Sequence, residues 1–258
     1  YVLLPLGILG VGAGTGANLA ARYAAADLVP EEEKARAIGN LVWSSTIGAV
    51  LGPTIGLGPA KHLGSTLTGV ELSGPYLAAA ALFVIAGLIV YLRLRPDPLT
   101  VAGVAKVDSV AGVSLRAALG LLASSGPGRL AVGSMVAGHV VMVGVMTMTP
   151  LHMKDGGHQL ELVGLVISLH IIGMYGLSPV VGWFTDRIGP HPVIAVGGVM
   201  LLIGSEFASH TEPEHSAGVF TGLFLIGLGW SFGLVASSAL IAAEFDGPER
   251  VRVQGLAD

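Results

Sequence analysis

Two pairs of side chains set inside apolar runs could do chemistry: Met142 with Met146, and His170 with Met174. Members of each pair are four residues apart, so on an α-helix they share one face, and His139, three residues before Met142, falls on that face too. Thioether sulfur and neutral imidazole are soft ligands that suit Cu(I), whereas Mg, Ca or Mn would want carboxylates. No Asp or Glu lies deep in these runs. Two sulfurs and one or two imidazoles would hold a monovalent soft cation without burying net negative charge. A lone Met-x-x-x-Met is as readily a packing stripe, because methionine fills irregular apolar gaps. The histidines could instead carry protons.

The elements that would position these groups are set by composition. The chain of 258 residues is 52% hydrophobic and 12% charged, with mean hydropathy +0.76, against about 25% charged residues in soluble domains. That excludes a soluble enzyme. Charge-free windows run over residues 1–21, 37–60, 72–92, 130–153, 162–185, 188–205 and 215–243. Each meets or approaches the roughly 20 residues that cross about 30 Å of hydrocarbon. An all-α, polytopic membrane protein with seven spanning helices is expected, with the lipid bilayer as its partner. At that depth histidine is costly and functional by default, which separates His139 and His170 from ordinary packing residues.

Basic residues are retained on the cytoplasmic face. Lys34, Arg36, Arg93, Arg95, Lys106, Arg116, Arg129, Arg187, Arg250 and Arg252 fall on one side and only Lys61 and Lys154 on the other. The residue 1 end is therefore expected outside and the residue 258 end in the cytoplasm, in the cell's inner (plasma) membrane. A net charge of -4 with no basic tract gives no sign of nucleic-acid binding. The chain lacks cysteine, so no thiolate metal site is available to it.

In the first span Gly10, Gly12, Gly14 and Gly16 alternate and allow close helix approach. Asn18 and Arg22 share a face there; Arg22 either snorkels to the cytoplasmic surface or lines a cavity. The second span carries Gly48, Gly52, Pro53 and Gly56, a packing face with a proline that weakens the helix. The division expected is a first bundle over residues 1–93, a cytoplasmic linker over 94–128 and a second bundle over 129–258. A repeat supports it. Gly10, Gly12, Gly16 and Asp27 recur as Gly227, Gly229, Gly233 and Glu244 at a constant offset of 217 residues. A repeat six helices apart is what a carrier of two six-helix halves would give. The chain then reads as a fragment lacking three helices before Tyr1 and two after Asp258, seven of an expected twelve.

Gly182-Trp-Phe-Thr-Asp186-Arg187-Ile-Gly189 resembles the Gly-x-x-x-Asp-Arg-x-Gly loop motif of the major facilitator superfamily. The likeness covers the whole chain as helices 4 to 10 and the following loop, although Pro190, His191 and Pro192 stand where basic residues are usual. It implies a conformational latch, with Asp186 against the N-terminus of the second span, Arg187 paired with Glu244, and Asp27 meeting an arginine of the absent first half. The segment Gly48 to Gly56 resembles an antiporter signature. The two Met/His pairs resemble those of the CcoA-like copper importers of this superfamily, which supply cytochrome oxidase assembly. The resemblance thus implies a secondary active transporter working by alternating access.

Its substrate is expected to be Cu(I) moving inward through Met142, Met146, His170, Met174 and His139, or a small amphiphilic molecule exported in exchange for protons. No resident cofactor is expected, and the protein is expected to be a monomer. No Gly-x-x-x-x-Gly-Lys loop supports ATP-driven transport. A seven-helix retinal receptor would need a lysine in the last span for its Schiff base, and residues 215–243 have none.

Overall fold

The computed structural model describes residues 3–55, 59–70, 73–96, 98–101, 115–245 and 247–257, which are mostly helical with no strand among them. In order come α1 (Leu3–Asp27), a 3-10 turn (Glu31–Glu33), α2 (Lys34–Ile55), α3 (Lys61–Thr68), α4 (Ser73–Arg93) and the short α5 (Pro98–Val101). Then follow α6 (Leu115–Ser124), α7 (Gly126–Asp155), α8 (Leu160–Ile171), a π turn (Ile172–Gly176), α9 (Ser178–Ile188), α10 (Pro190–Ser209), α11 (Ala217–Glu244) and α12 (Gly247–Ala257).

A helix lies at each of the seven apolar windows. Among the described residues, five stretches are both long and apolar enough to span a bilayer: Ser73–Arg93, Gly126–Asp155, Leu162–Ile188, Pro190–Ser209 and Ala217–Glu244. α1 and α2, at 25 and 22 residues, have the length as well. The chain is a multi-pass membrane protein. Among the described residues of the interval expected to be a linker, α5 and α6 are helical, and Leu121 and Leu122 of α6 pack on the core.

The described chain forms two compact units, one of residues 1–19 and 47–106 and one of residues 20–46 and 107–258. In the first, α3 and α4 form a hairpin whose backbones touch: a Cβ on Gly74 would fall 1.7 Å from the Ala60 carbonyl oxygen. Gly69, at φ 73°, ends α3, and the Thr68 and Ser73 hydroxyls hydrogen-bond at 2.6 Å across the turn. The face of Gly48 and Gly52 is open, with nothing near an added Cβ, so the packing face expected there has no partner among the described residues. The Pro53 side chain and Gly56 lie outside the described residues.

The second unit is built around α11, which is buried for most of its length. Glycines allow this. An added Cβ would meet backbone oxygen at 2.9 Å for Gly197 (Gly229), 2.8 Å for Gly204 (Gly222) and 2.7 Å for Gly173 (Phe224). The repeat therefore ends in different packing: Gly227 and Gly229 are tightly covered, whereas Gly10, Gly12 and Gly16 face open space. Ser134 of α7 and Ser237 of α11 hydrogen-bond at 2.6 Å between the helices.

The span containing His170 is not one straight helix. Pro179 has no N–H for the carbonyl four residues back, and its ring crowds that carbonyl. The Tyr175 carbonyl accepts instead from the Ser178 hydroxyl at 2.6 Å, and the backbone widens into the π turn just before it.

The α8–α11 seam is sterically the tightest near the candidate substrate residues, because a Cβ on Gly227 would come within 2.4 Å of the His170 carbonyl oxygen. Gly227→Val should destabilise the protein by about 1–3 kcal/mol or more through overpacking. It would be read as a lowered melting temperature in detergent. Gly198→Ala, at a position with open space around it, should leave the melting temperature within error.

Candidate substrate cluster and helix-end contacts

Met142 of α7 and Met174 of the π turn are 5% and 7% exposed and belong to one buried cluster with Ile226 and Trp230 of α11. Met146 and Tyr175 pack against that cluster. The Tyr175 and Trp230 rings meet edge to face, 5.8 Å between centroids and 84° between planes. His170 is fully buried. Its Nδ1 lies 2.7 Å from the Leu223 carbonyl oxygen, an acceptor, so Nδ1 carries the proton and donates. Nε2 is then a bare lone pair, buried and without a hydrogen-bond partner.

His170 is held from α11. The Nδ1 edge of His170 faces α11, because Gly173 and Gly227 let α8 close on α11. A Cβ on Gly227 would meet His170 Nδ1 and the Met174 backbone nitrogen, both at 3.1 Å. His139 does not join the cluster; it is exposed, since three residues of helix place it at the edge of the buried stripe through Met135, Gly138 and Met142. Asn18 is exposed in the first unit. Arg22 does not snorkel to solvent: it is 2% exposed, its guanidinium 4.8 Å from the Tyr23 ring centroid and 3.4 Å from the Tyr23 hydroxyl.

At one end of the second unit, Asp186 sits on the N-terminus of α2. Its Oδ1 accepts from the Ala35 N–H and its Oδ2 from the Arg36 N–H, both at 2.9 Å. The first N–H groups of a helix have no partner within it, and the helix dipole favours an anion there. Gly182 permits the approach, since a Cβ would stand 2.5 Å from the Ala35 carbonyl oxygen. Gly39 does the same from α2, where a Cβ would stand 2.3 Å from the Ser178 carbonyl oxygen, and the Ser178 hydroxyl shares its one proton between the Tyr175 carbonyl at 2.6 Å and the Gly39 carbonyl at 3.0 Å. Gly189 has φ 87° and ψ 160°, a conformation that favours glycine, and joins α9 directly to Pro190, the first residue of α10.

One expected pairing is corrected, and Asp27 has a partner within this chain. Arg187 does not bind Glu244. Its guanidinium lies over the Trp183 ring, 5.3 Å from the centroid, while Glu244 Oε1 accepts from the Ser125 hydroxyl at 2.6 Å. Ser125 caps α7 and itself accepts from the Gly128 N–H at 2.9 Å, so Glu244 acts on a helix N-terminus through a hydroxyl, much as Asp186 acts directly. Asp27 meets an arginine of this same unit: Arg250 Nη2 lies 2.6 Å from Asp27 Oδ1, with both side chains under 10% exposed.

Sequence reasoning missed Ser125, Ser178 and Arg250. Ser followed by Gly-Pro is an N-cap signal that could have found Ser125. Arg250 lies just past Pro248 in α12, in the segment that the repeat aligns with residues 30–39, but a repeat aligns positions and does not say what touches what.

The chain matches the family model described as Major Facilitator Superfamily over residues 1–258. It is 36% identical over 258 residues to the uncharacterized MFS-type transporter YdeG of Bacillus subtilis, covering 99% of this chain and 60% of that protein. It is 36% identical over 262 residues to the uncharacterized MFS-type transporter YddS of the same organism, covering 99% and 59%. The riboflavin transporter RfnT of Brucella anthropi is 25% identical over 263 residues, covering 100% of this chain and 62% of that protein. The chain thus spans about 60% of the length of the curated relatives it matches. No solved structure matches it significantly.

Asp186→Asn should speed hydrogen exchange at the Ala35 and Arg36 amides by up to about tenfold, the worth of a lost anionic cap. Arg187→Gln should leave those amides unchanged. Breaking the buried Asp27–Arg250 pair from either side should cost about 3–5 kcal/mol. The double variant Asp27→Asn with Arg250→Met, followed by melting in detergent, should lose less than the sum of the two.

Proposed function

Because the chain belongs to the major facilitator superfamily, a family of transporters rather than enzymes, we propose that it is part of a secondary active transporter carrying Cu(I) inward by alternating access. The observation that supports the metal is at His170. A histidine that donates Nδ1–H to a backbone carbonyl and keeps Nε2 as an unpartnered, buried lone pair has the arrangement of a metal ligand held by its second hydrogen bond. Met142 and Met174, with Met146 packed beside them, supply the soft sulfurs that favour Cu(I) over harder cations. The π turn between His170 and Met174 gives the span a point of bending beside the candidate ligands. Asp186 on the α2 N-terminus, the Asp27–Arg250 pair and Glu244 with Ser125 act in this reading as contacts that must break and re-form as the carrier alternates.

A second reading has its own observation. The Tyr175–Trp230 pair lies in the same cluster, and a distant relative is named a riboflavin transporter, so a planar organic molecule or small amphiphile is the alternative cargo. The likeness of Gly48 to Gly56 to an antiporter signature then points to export in exchange for protons.

The test uses the full-length protein in cells. Met142→Leu and His170→Ala should each lower copper accumulation by about tenfold or more, the usual scale for losing a group that builds a metal site. Both variants must reach the membrane at wild-type level. Unchanged copper accumulation in both would sink the metal reading. If labelled riboflavin or a cationic dye then accumulated or left in a Trp230-dependent way, the organic cargo would take its place.

A further inference from the structure

At the end of the second unit opposite the Asp186 contact, a cleft of about 380 Å³ opens between the C-terminal turns of α7 and α10 and the start of α11. Its volume lies in the range of small-molecule sites, about 300–1,000 Å³. The walls divide by chemistry. Val145 and Met148 of α7 and Val219 of α11 give an apolar surface. His152 and Thr149 of α7 and Glu206 and Ser209 of α10 give polar groups.

The polar groups are unequally committed. Thr149 donates to the Val145 carbonyl and keeps only acceptor capacity. Glu206 lies at the rim, largely exposed, with one oxygen 3.0 Å from His210. His152 leaves its Nε2 shielded from solvent with no hydrogen-bond partner, an arrangement that a donor entering the cleft and turning the ring would relieve. Glu206 is the acid that lines the cleft, and no lysine or arginine lines it among the described residues. The complement is a small molecule with an apolar body lying on Val145, Met148 and Val219 and a protonated amine, its N–H groups directed to the Glu206 carboxylate.

We propose that this cleft is a binding site for small amphiphilic amines, separate from the Met142–His170 cluster. It does not depend on copper being the cargo.

The probe is 4-phenylbutylamine, protonated at neutral pH, with 4-phenylbutanol as its uncharged control. Binding is measured by calorimetry on the full-length purified protein. The amine should bind more tightly than the alcohol. Glu206→Gln should weaken the amine by about three- to fivefold, the scale of an exposed charge pair, and leave the alcohol unchanged. Ala208→Trp, which fills the cleft, should weaken both by about tenfold or more. Ser209→Cys, the single thiol in a protein stripped of any other cysteine, should react with an impermeant maleimide from outside and be protected by the amine.

Amine binding indifferent to Glu206→Gln and Ala208→Trp would overturn the proposal. So would a thiol at 209 that never reacts, since the cleft would then be covered in the complete protein. Copper accumulation unchanged by Ala208→Trp alongside lost amine binding would support it. Failure of copper uptake in Met142→Leu bears on the metal reading alone.

Discussion

The second unit depends on a carboxylate placed where a helix is short of acceptors. Asp186 satisfies two amides at the start of α2, and this single contact requires everything near it to be small. Gly182 and Gly39 are glycine because their neighbours' carbonyls occupy the space of a Cβ, and Ser178 bonds the α2 backbone from the same seam. The attraction is electrostatic and short-ranged, falling off within the first turn of the helix. It therefore makes a contact that is either fully formed or absent. A broad apolar seam of the same area would not have that property.

The other end contacts repeat this logic with different chemistry. Glu244 works through the Ser125 hydroxyl onto α7. Asp27 is matched by Arg250 as a buried ion pair, whose formation is nearly balanced against desolvation while the loss of one partner is severe. Three acids close three helix ends, each with a partner of a different kind, and all lie in one compact unit. The interior of that unit is held differently, by glycine-lined approaches around α11 in which dispersion and hydrogen bonds such as Ser134–Ser237 carry the packing.

Much of this was legible in the residues. Helix positions followed from charge-free windows because an apolar run of about 20 residues satisfies its own backbone in lipid as a helix, and Asp186 with Gly182 and Gly189 followed from a motif whose glycines have steric causes. The partners of Arg187, Glu244 and Asp27 were not legible, since they depend on which loops meet in space. His139 and Met142 were separated by burial although spacing joined them; a three-residue step is an edge position, and neighbours decide which side of the edge is covered. The π turn had its sign in Pro179, but a proline tells where a carbonyl is freed and not whether the backbone kinks, widens or is bridged by Ser178.

The one-residue connection at Gly189 has a mechanical meaning. With α9 ending at Ile188 and α10 starting at Pro190, there is no slack between them, and proline fixes the entry into the second helix. The two helices form a stiff elbow. Displacing Asp186 from α2 would swing α10 with it, and Gly197 and Gly204 of α10 are pressed on α11, the helix whose Leu223 carbonyl orients His170. The elbow thus joins the Asp186 carboxylate, through the α10–α11 seam, to the helix that orients the His170 imidazole.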